Sequence, residues 1–372
     1  MVSRGRRSWS GRIVSPLVEV GAIVVTGRGR YRRGGGPLGV FLAVVLVLGA
    51  CSSQPKVMRL EHPKGTLGQS RITWPPPPAP PRFVYAGELT GEANFAGAEA
   101  DERSGAVRAL SWLVGLGQER RKPVVLQRPQ GGAVDDAGRV YVTDVSRQAV
   151  FVFDEYQGRL HVWEMATKSA RFVAPIGIAI GANGEVLVSD AELALVARLG
   201  PDGTPVGTIG AGLLQRPTGI ARDPERGRIY VADTRANDIK VFDESGELLD
   251  TLGHEGNSPG ALNAPTYLAF SRGRIYVSDT LNSRIQIFDR EGNLVGHFGK
   301  RGLYLGNLSR PKGVSVGPGG EVYVIESYYD HLLAFDSDGR FLLPIGGTGS
   351  GPGQFYLPAG VWTDARGRVY VA

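Results

Sequence analysis

A single cysteine, Cys51, stands in 372 residues. No intramolecular disulfide and no zinc site built on paired cysteines can form. Histidine is scarce too: His62, His161, His254, His297 and His331 lie far apart, and no two have the spacing with which imidazoles share a metal on one helical turn. There is no nucleophile elbow, no Ser-His-Asp set and no paired-histidine motif, so no catalytic or metal-ligating residue is assigned. Helical periodicity is confined to Ser104–Gly117, an apolar stripe expected to cap a larger body.

Apolar runs are short as well. The longest, Leu38–Ala50, falls below the ~20 residues that a bilayer-spanning helix requires. It follows eight arginines between Arg4 and Arg33, opposed in the first fifty residues by Glu19 alone. That segment carries +7 of a chain total of +6, leaving −1 for everything after it. The folding part is near neutral, so no phosphate-tracking surface and no nucleic-acid partner are expected.

What the chain has in quantity is glycine and proline, 54 and 24 residues, the punctuation of many short strands. A repeat emerges from Arg128 onward: Pro-x-Gly, a strand, a glycine turn, a second strand ending in an acid, a third ending in Phe-Asp, and another glycine turn. The second strands end at Asp144, Asp190, Asp233, Asp279 and Glu326, and Val369-Tyr370-Val371-Ala372 continues the series. Neighbouring acids are about 45 residues apart, the period of a four-stranded propeller blade. Apolar residues at alternate positions, many β-branched or aromatic, suit strands sandwiched between such blades.

The unit Tyr276-Val277-Ser278-Asp279-Thr280-Leu281-Asn282-Ser283-Arg284-Ile285-Gln286-Ile287-Phe288 resembles the NHL repeat. The resemblance covers about residues 128–372 and weakens around Asp190 and Glu326. It implies an all-β, six-bladed propeller of four-stranded antiparallel blades. Phe83–Leu89 reads as an orphan strand, expected to complete the sixth blade from the N-terminal side and leave no exposed edge. A chain truncated at Ala372 is the competing explanation.

The N-terminal region reads as an address. Leu48-Gly49-Ala50-Cys51-Ser52 resembles the bacterial lipoprotein lipobox, which implies cleavage before Cys51 and acylation of its thiol, palmitate included. Anchoring in the bacterial envelope follows, on the outer membrane where the host has two, since Ser52 rather than aspartate comes next. An uncleaved anchor beside a buried Cys51 is the alternative. Trp74–Pro81 reads as extended polyproline, a spacer of about 3.1 Å per residue. The expected division is residues 1–50 as basic leader and signal peptide, 51–81 as lipidated cysteine and Pro-rich tether, and 82–372 as propeller. Within the propeller, 82–127 supply the closing strand and short helix and 128–372 the repeats.

Two constellations invite a functional reading. The recurrent acids share one face and suggest a metal funnel, yet one acid per blade at fixed register is what a repeat needs to hold its own turn. Glycine clusters at 253–260 and 346–353 precede Pro-led strands and lead into no helix, so they are inter-blade turns rather than phosphate cradles. More informative is Glu326-Ser327-Tyr328-Tyr329-Asp330-His331, where aromatics and a histidine replace the repeat's Asp-x-x-Asn-x-Arg. Tyr328, Tyr329 and His331, with Arg147, Arg235 and Arg284 from equivalent loops, are the candidate partner-binding residues, because recognition surfaces favour aromatic and guanidinium groups. The expected function is a non-catalytic, membrane-anchored scaffold for an envelope protein or glycan, with no cofactor. The alternative implied by the resemblance is a metal-dependent propeller enzyme similar to peptidyl-hydroxyglycine amidating lyase or a sugar lactonase, for which a calcium site of carbonyls and aspartates stays open.

Overall fold

The computed structural model describes residues 21–24, 58–61, 71–95 and 123–372. The leader cleavage region, Cys51 and the helical stretch 104–117 lie outside them. From Pro129 onward each repeat forms an antiparallel sheet in which consecutive strands are neighbours. Blade 1 covers residues 129–163, blade 2 residues 175–209, blade 3 residues 217–252, blade 4 residues 265–298 and blade 5 residues 311–345. Glycine turns reverse the chain between strands; Gly246, Gly292 and Gly339 take φ of 94°, 86° and 77°, which a residue bearing Cβ adopts only with strain.

These are five four-stranded antiparallel blades, not the six expected. The strands assigned to a sixth blade form a different object, a mixed sheet of five short strands. Val361–Thr363 and Val369–Val371 pair antiparallel. Next to Val369–Val371 lies Gly21–Val24, running parallel to it. Phe83–Gly87 then pairs in parallel with Gly21–Val24, and Thr73–Trp74 pairs antiparallel with Phe83–Val84. Phe83–Gly87 thus completes no sixth blade: it pairs in parallel within this mixed sheet, separated from Val369–Val371 by a segment that reads as leader. The proline run also departs from an extended spacer. Arg82 N–H donates to the Trp74 carbonyl at 2.8 Å, so residues 75–81 form the loop of a hairpin.

The core is a set of layers between sheets. Tyr141, Val150 and Val152 of blade 1 pack on Ile178, Val186 and Val188 of blade 2. Blade 5 meets the mixed sheet through Tyr323, Ile325, Val361 and Val369, and that sheet meets blade 1 through Trp362, Tyr370, Val140 and Phe151. Each fully buried side chain of this size contributes about 1.5–3 kcal/mol. Hydroxyls stitch neighbouring blades at one recurring place. Thr143 donates to the Ile176 carbonyl at 2.7 Å, Ser189 to that of Thr218, and Ser278 to that of Lys312.

The first strand of every blade is innermost, and the Pro-x-Gly of blades 1, 2, 3 and 5 explains how closely these strands gather around the axis. A Cβ on Gly177 would lie 2.1 Å from the Thr218 carbonyl oxygen, and one on Gly360 2.0 Å from that of Gln130. Gly131, Gly219 and Gly313 are also tight against the next inner strand, at 2.7, 2.6 and 2.5 Å. The glycines are there for close backbone approach.

Candidate functional site

The loops joining second to third strands, and those leading from one blade to the next, emerge on the same face; the turns between first and second strands lie on the other. On this loop face the recurrent acids accept backbone N–H groups. Asp144 takes those of Gln127 and Arg128 at 2.5 and 3.0 Å, Asp190 that of Val173 at 2.7 Å, and Asp233 that of Gln215 at 2.7 Å. Each carboxylate also reaches into its own loop, as Asp144 does to Arg147 N–H at 2.9 Å. The turn-holding reading of these acids is correct and reaches further than expected, since each also pins the segment entering its blade. Among the described residues, no three His, Cys, Asp or Glu side chains converge as metal ligands.

The candidate binding residues separate into two kinds. Arg284 is 8% exposed and wholly engaged. Its Nε donates to Asp279 at 2.7 Å, and its Nη2 donates to the carbonyls of Ser258 and Ala261, each at 2.8 Å. Asn282 and Gln286 bond the same carboxylate. Arg147 is stapled through Nε to the Val125 carbonyl at 2.9 Å. Arg235 is exposed on blade 3, away from the others. The structure gathers only Tyr328, Tyr329 and His331, on blade 5.

There the consensus aspartate is Glu326, whose longer side chain still accepts the N–H groups of Arg310 and Tyr328 at 3.0 Å. Burial, first among the influences on it, pushes its carboxyl above the ordinary glutamate range. Glu326, Tyr329 and His331 line a pocket of about 120 Å³ with Leu303, Tyr304 and Asn307. His331 Nδ1 is hydrogen-bonded to the Tyr329 carbonyl, which orients the ring. The Tyr328 ring stands edge-on to Tyr329, 4.8 Å between centroids. On the loops of this face Tyr304 is 85% exposed, Tyr328 67% and Tyr356 75%, with Leu303, Leu305 and Leu357 also in solvent. Leu357 N–H donates to Asp330 at 2.9 Å, joining the next inter-blade loop to the patch. Residues 303–305 and 356–357 were not singled out from sequence. Their signal was available: Leu303-Tyr304-Leu305 sits in a turn whose counterparts are built of Gly, Ser, Asn and Pro.

A second missed residue is Tyr267. It occupies the glycine position of Pro-x-Gly in blade 4, the repeat that otherwise fits its consensus best. Its hydroxyl donates to the Gln130 carbonyl of blade 1 at 3.1 Å, so the phenol spans the waist of the channel. Burial, against the opposing effect of Arg128, raises its pKa above the usual phenol range. Beyond this waist a cavity of about 290 Å³ extends toward the opposite face, walled by Ile178, Leu268, Val314 and Trp362.

Comparison with known proteins agrees with this architecture. The family model described as "NHL repeat" matches residues 126–153 and 214–242, which hold the first two strands and most of the third in blade 1 and again in blade 3. The human NHL-repeat-containing protein 4 is 32% identical over 122 residues, 32% of this chain and 89% of the relative. Protein brain tumor of Drosophila melanogaster is 26% identical over 128 residues, 34% of this chain but 12% of that protein's length. Among solved structures, a gluconolactonase from Xanthomonas campestris superposes with a TM-score of 0.50 at 20% identity, over 66% of this chain and 83% of the other. At that identity the likeness concerns fold.

Proposed function

The chain belongs to the NHL-repeat proteins, and on that premise we propose that it is a binding scaffold whose loop face over blade 5 docks an envelope protein or glycan. The observation that carries this reading is three largely exposed tyrosines on the loops of one face, Tyr304, Tyr328 and Tyr356, accompanied by exposed Leu303, Leu305 and Leu357, with Tyr304 lining a small pocket. Large apolar groups clustered on one face of an otherwise polar rim are what interaction surfaces display. Tyrosine gives contact area at low cost in side-chain entropy and keeps a hydroxyl for hydrogen bonding. Blade 5 supplies a rigid platform, since the strand before the loop, Val322–Glu326, is buried throughout. Arg235 is a peripheral contact at most, and Arg284 serves the fold. The metal-dependent enzyme alternative draws no support from a convergent ligand set among the described residues.

The test is capture from crosslinked envelope with the full chain. A partner retained by the native protein and lost with Tyr304, Tyr328 and Tyr356 all changed to alanine supports the reading. A partner retained by that variant moves the site elsewhere.

Anchoring through acylated Cys51 belongs to the same proposal and has a structural consequence. Cleavage before Cys51 removes Gly21–Val24 from between Phe83–Gly87 and Val369–Val371, two strands that run in the same direction. The mature sheet then has to close over that gap. Intact mass of membrane-extracted protein decides this: a diacylated species beginning at Cys51 supports anchoring, and an unprocessed N-terminus overturns it.

A further inference from the structure

The waist that Tyr267 closes has a mouth on the loop face, and the charge there is one-sided. The residue before each Pro-x-Gly and the residue x sit at this rim, where the inner strands begin. In blades 1 and 5 the residue before proline is Arg128 and Arg310, and in blade 5 residue x is Lys312. These two blades flank the mixed sheet, whose corresponding residues Leu357 and Ala359 carry no charge.

Lys312 is half-buried. Burial first, then the positive fields of Arg310 and Arg128, pull its ammonium pKa below the ordinary lysine value, and no carboxylate figures among the influences on it. The acids that end the second strands of these two blades are engaged elsewhere: Asp144 holds the N–H groups of Gln127 and Arg128, and Glu326 holds that of Arg310. Neither arginine side chain nor Lys312 makes an ion pair among the described residues. Blade 3 shows the contrast. Arg216, at the same register, is paired with Glu192 at 3.1 Å. A half-buried lysine facing two guanidinium groups without a counter-charge is costly to maintain, because desolvation and like-charge repulsion act in the same direction. An anion relieves both at once.

We propose that Arg128, Arg310 and Lys312 form a site for a small oxyanion, the carboxylate or phosphate group of a low-molecular-weight ligand, seated in the channel mouth above Tyr267. Guanidinium forks suit either group in a bidentate manner, and the lysine adds a point charge. Arg128 and Arg310 are exposed and Lys312 is half-buried, while the Tyr267 phenol crosses the channel to Gln130, so the ligand enters and leaves by the loop face. Three cations at one rim are a cluster rather than a track, which fits a small anion better than a polyanion on a chain whose charge after the leader is −1.

Calorimetric titration of the full chain with citrate and with inorganic phosphate tests the site, with a short single-stranded RNA as third probe. The expected result is saturable binding of citrate or phosphate, weakened about tenfold or more in Lys312→Met and in Arg310→Ala, the loss of one charge-assisted contact. Which of the two anions binds identifies the group. Tyr328→Ala and Tyr356→Ala leave this binding unchanged, so this site and the docking patch fail independently. Lys312→Met relieves an uncompensated charge and keeps or raises Tm, so lost binding does not stem from lost folding. Absence of binding by both anions overturns the proposal. So does binding that persists in both variants, or RNA binding through Lys312 without either small anion.

Discussion

The loops that follow the second strands of blades 4 and 5 begin from the same backbone plan and reach opposite ends. In blade 4, Asp279 gathers Asn282, Arg284 and Gln286 into a buried network. Nothing of it is left for a partner. In blade 5, Glu326 keeps only the backbone bonds, and the positions freed from that network carry Tyr328 outward and set half-buried Tyr329 and His331 into the pocket wall. The residues that match the family pattern are therefore those spent on holding the loop. The ones that depart from it are available for recognition.

The comparison can be broken by mutation. Asp279→Ala leaves Arg284 buried without its partner and is expected to cost about 3–5 kcal/mol, measured by urea unfolding; a cost below about 1 kcal/mol would mean that the network is ornamental. Gly177→Ala probes the shared frame, since its Cβ meets the Thr218 carbonyl at 2.1 Å; a loss of about 1–3 kcal/mol is expected from overpacking. Glu326→Gln keeps an acceptor and is expected to change stability by less than about 1 kcal/mol at neutral pH.

The same variant has a pH signature. Because the folded-state pKa of Glu326 lies above the ordinary 4.5, its contribution is present below that value and is lost as pH rises through the folded pKa. The native protein should thus lose stability relative to Glu326→Gln as pH climbs from about 4.5, and a pH-independent difference would contradict the burial argument. Smallest of all, Tyr328→Ala should stay within about 0.5 kcal/mol of the native stability, while removing partner binding.

Much of this was legible in the sequence, and what was not has physical reasons. Strand registers of blades 1 to 5 follow from local alternation and glycine turns, as Ile275–Asp279 and its neighbours illustrate. The mixed sheet does not, because a parallel pairing such as Ile23 with Tyr370 leaves no short-range pattern. The proline run looked extended because its composition favours that form, but the hydrogen bond from Arg82 to Trp74 folds it back. In the site, the aromatic departure after Glu326 was visible, whereas the apolar residues 303–305 and 356–357 lie in turns that the repeat treats as variable. Tyr267 was hidden by the quality of its own repeat: one substituted glycine in the best-matching unit looks like noise until its phenol is seen to cross the axis.

The mixed sheet also sets an order of events. Each blade closes through contacts between residues a few dozen apart, which form early and independently. In the unprocessed chain the junction joins Gly21–Val24 to Val369–Val371, and closing so long a loop carries the largest entropic cost among these pairings. It acts as a clasp, the last seam to form and the first to part. Amide exchange in Val369–Val371 should accordingly run ahead of that in the second strands of blades 2 to 4, with the ring opening at one seam while its blades remain folded.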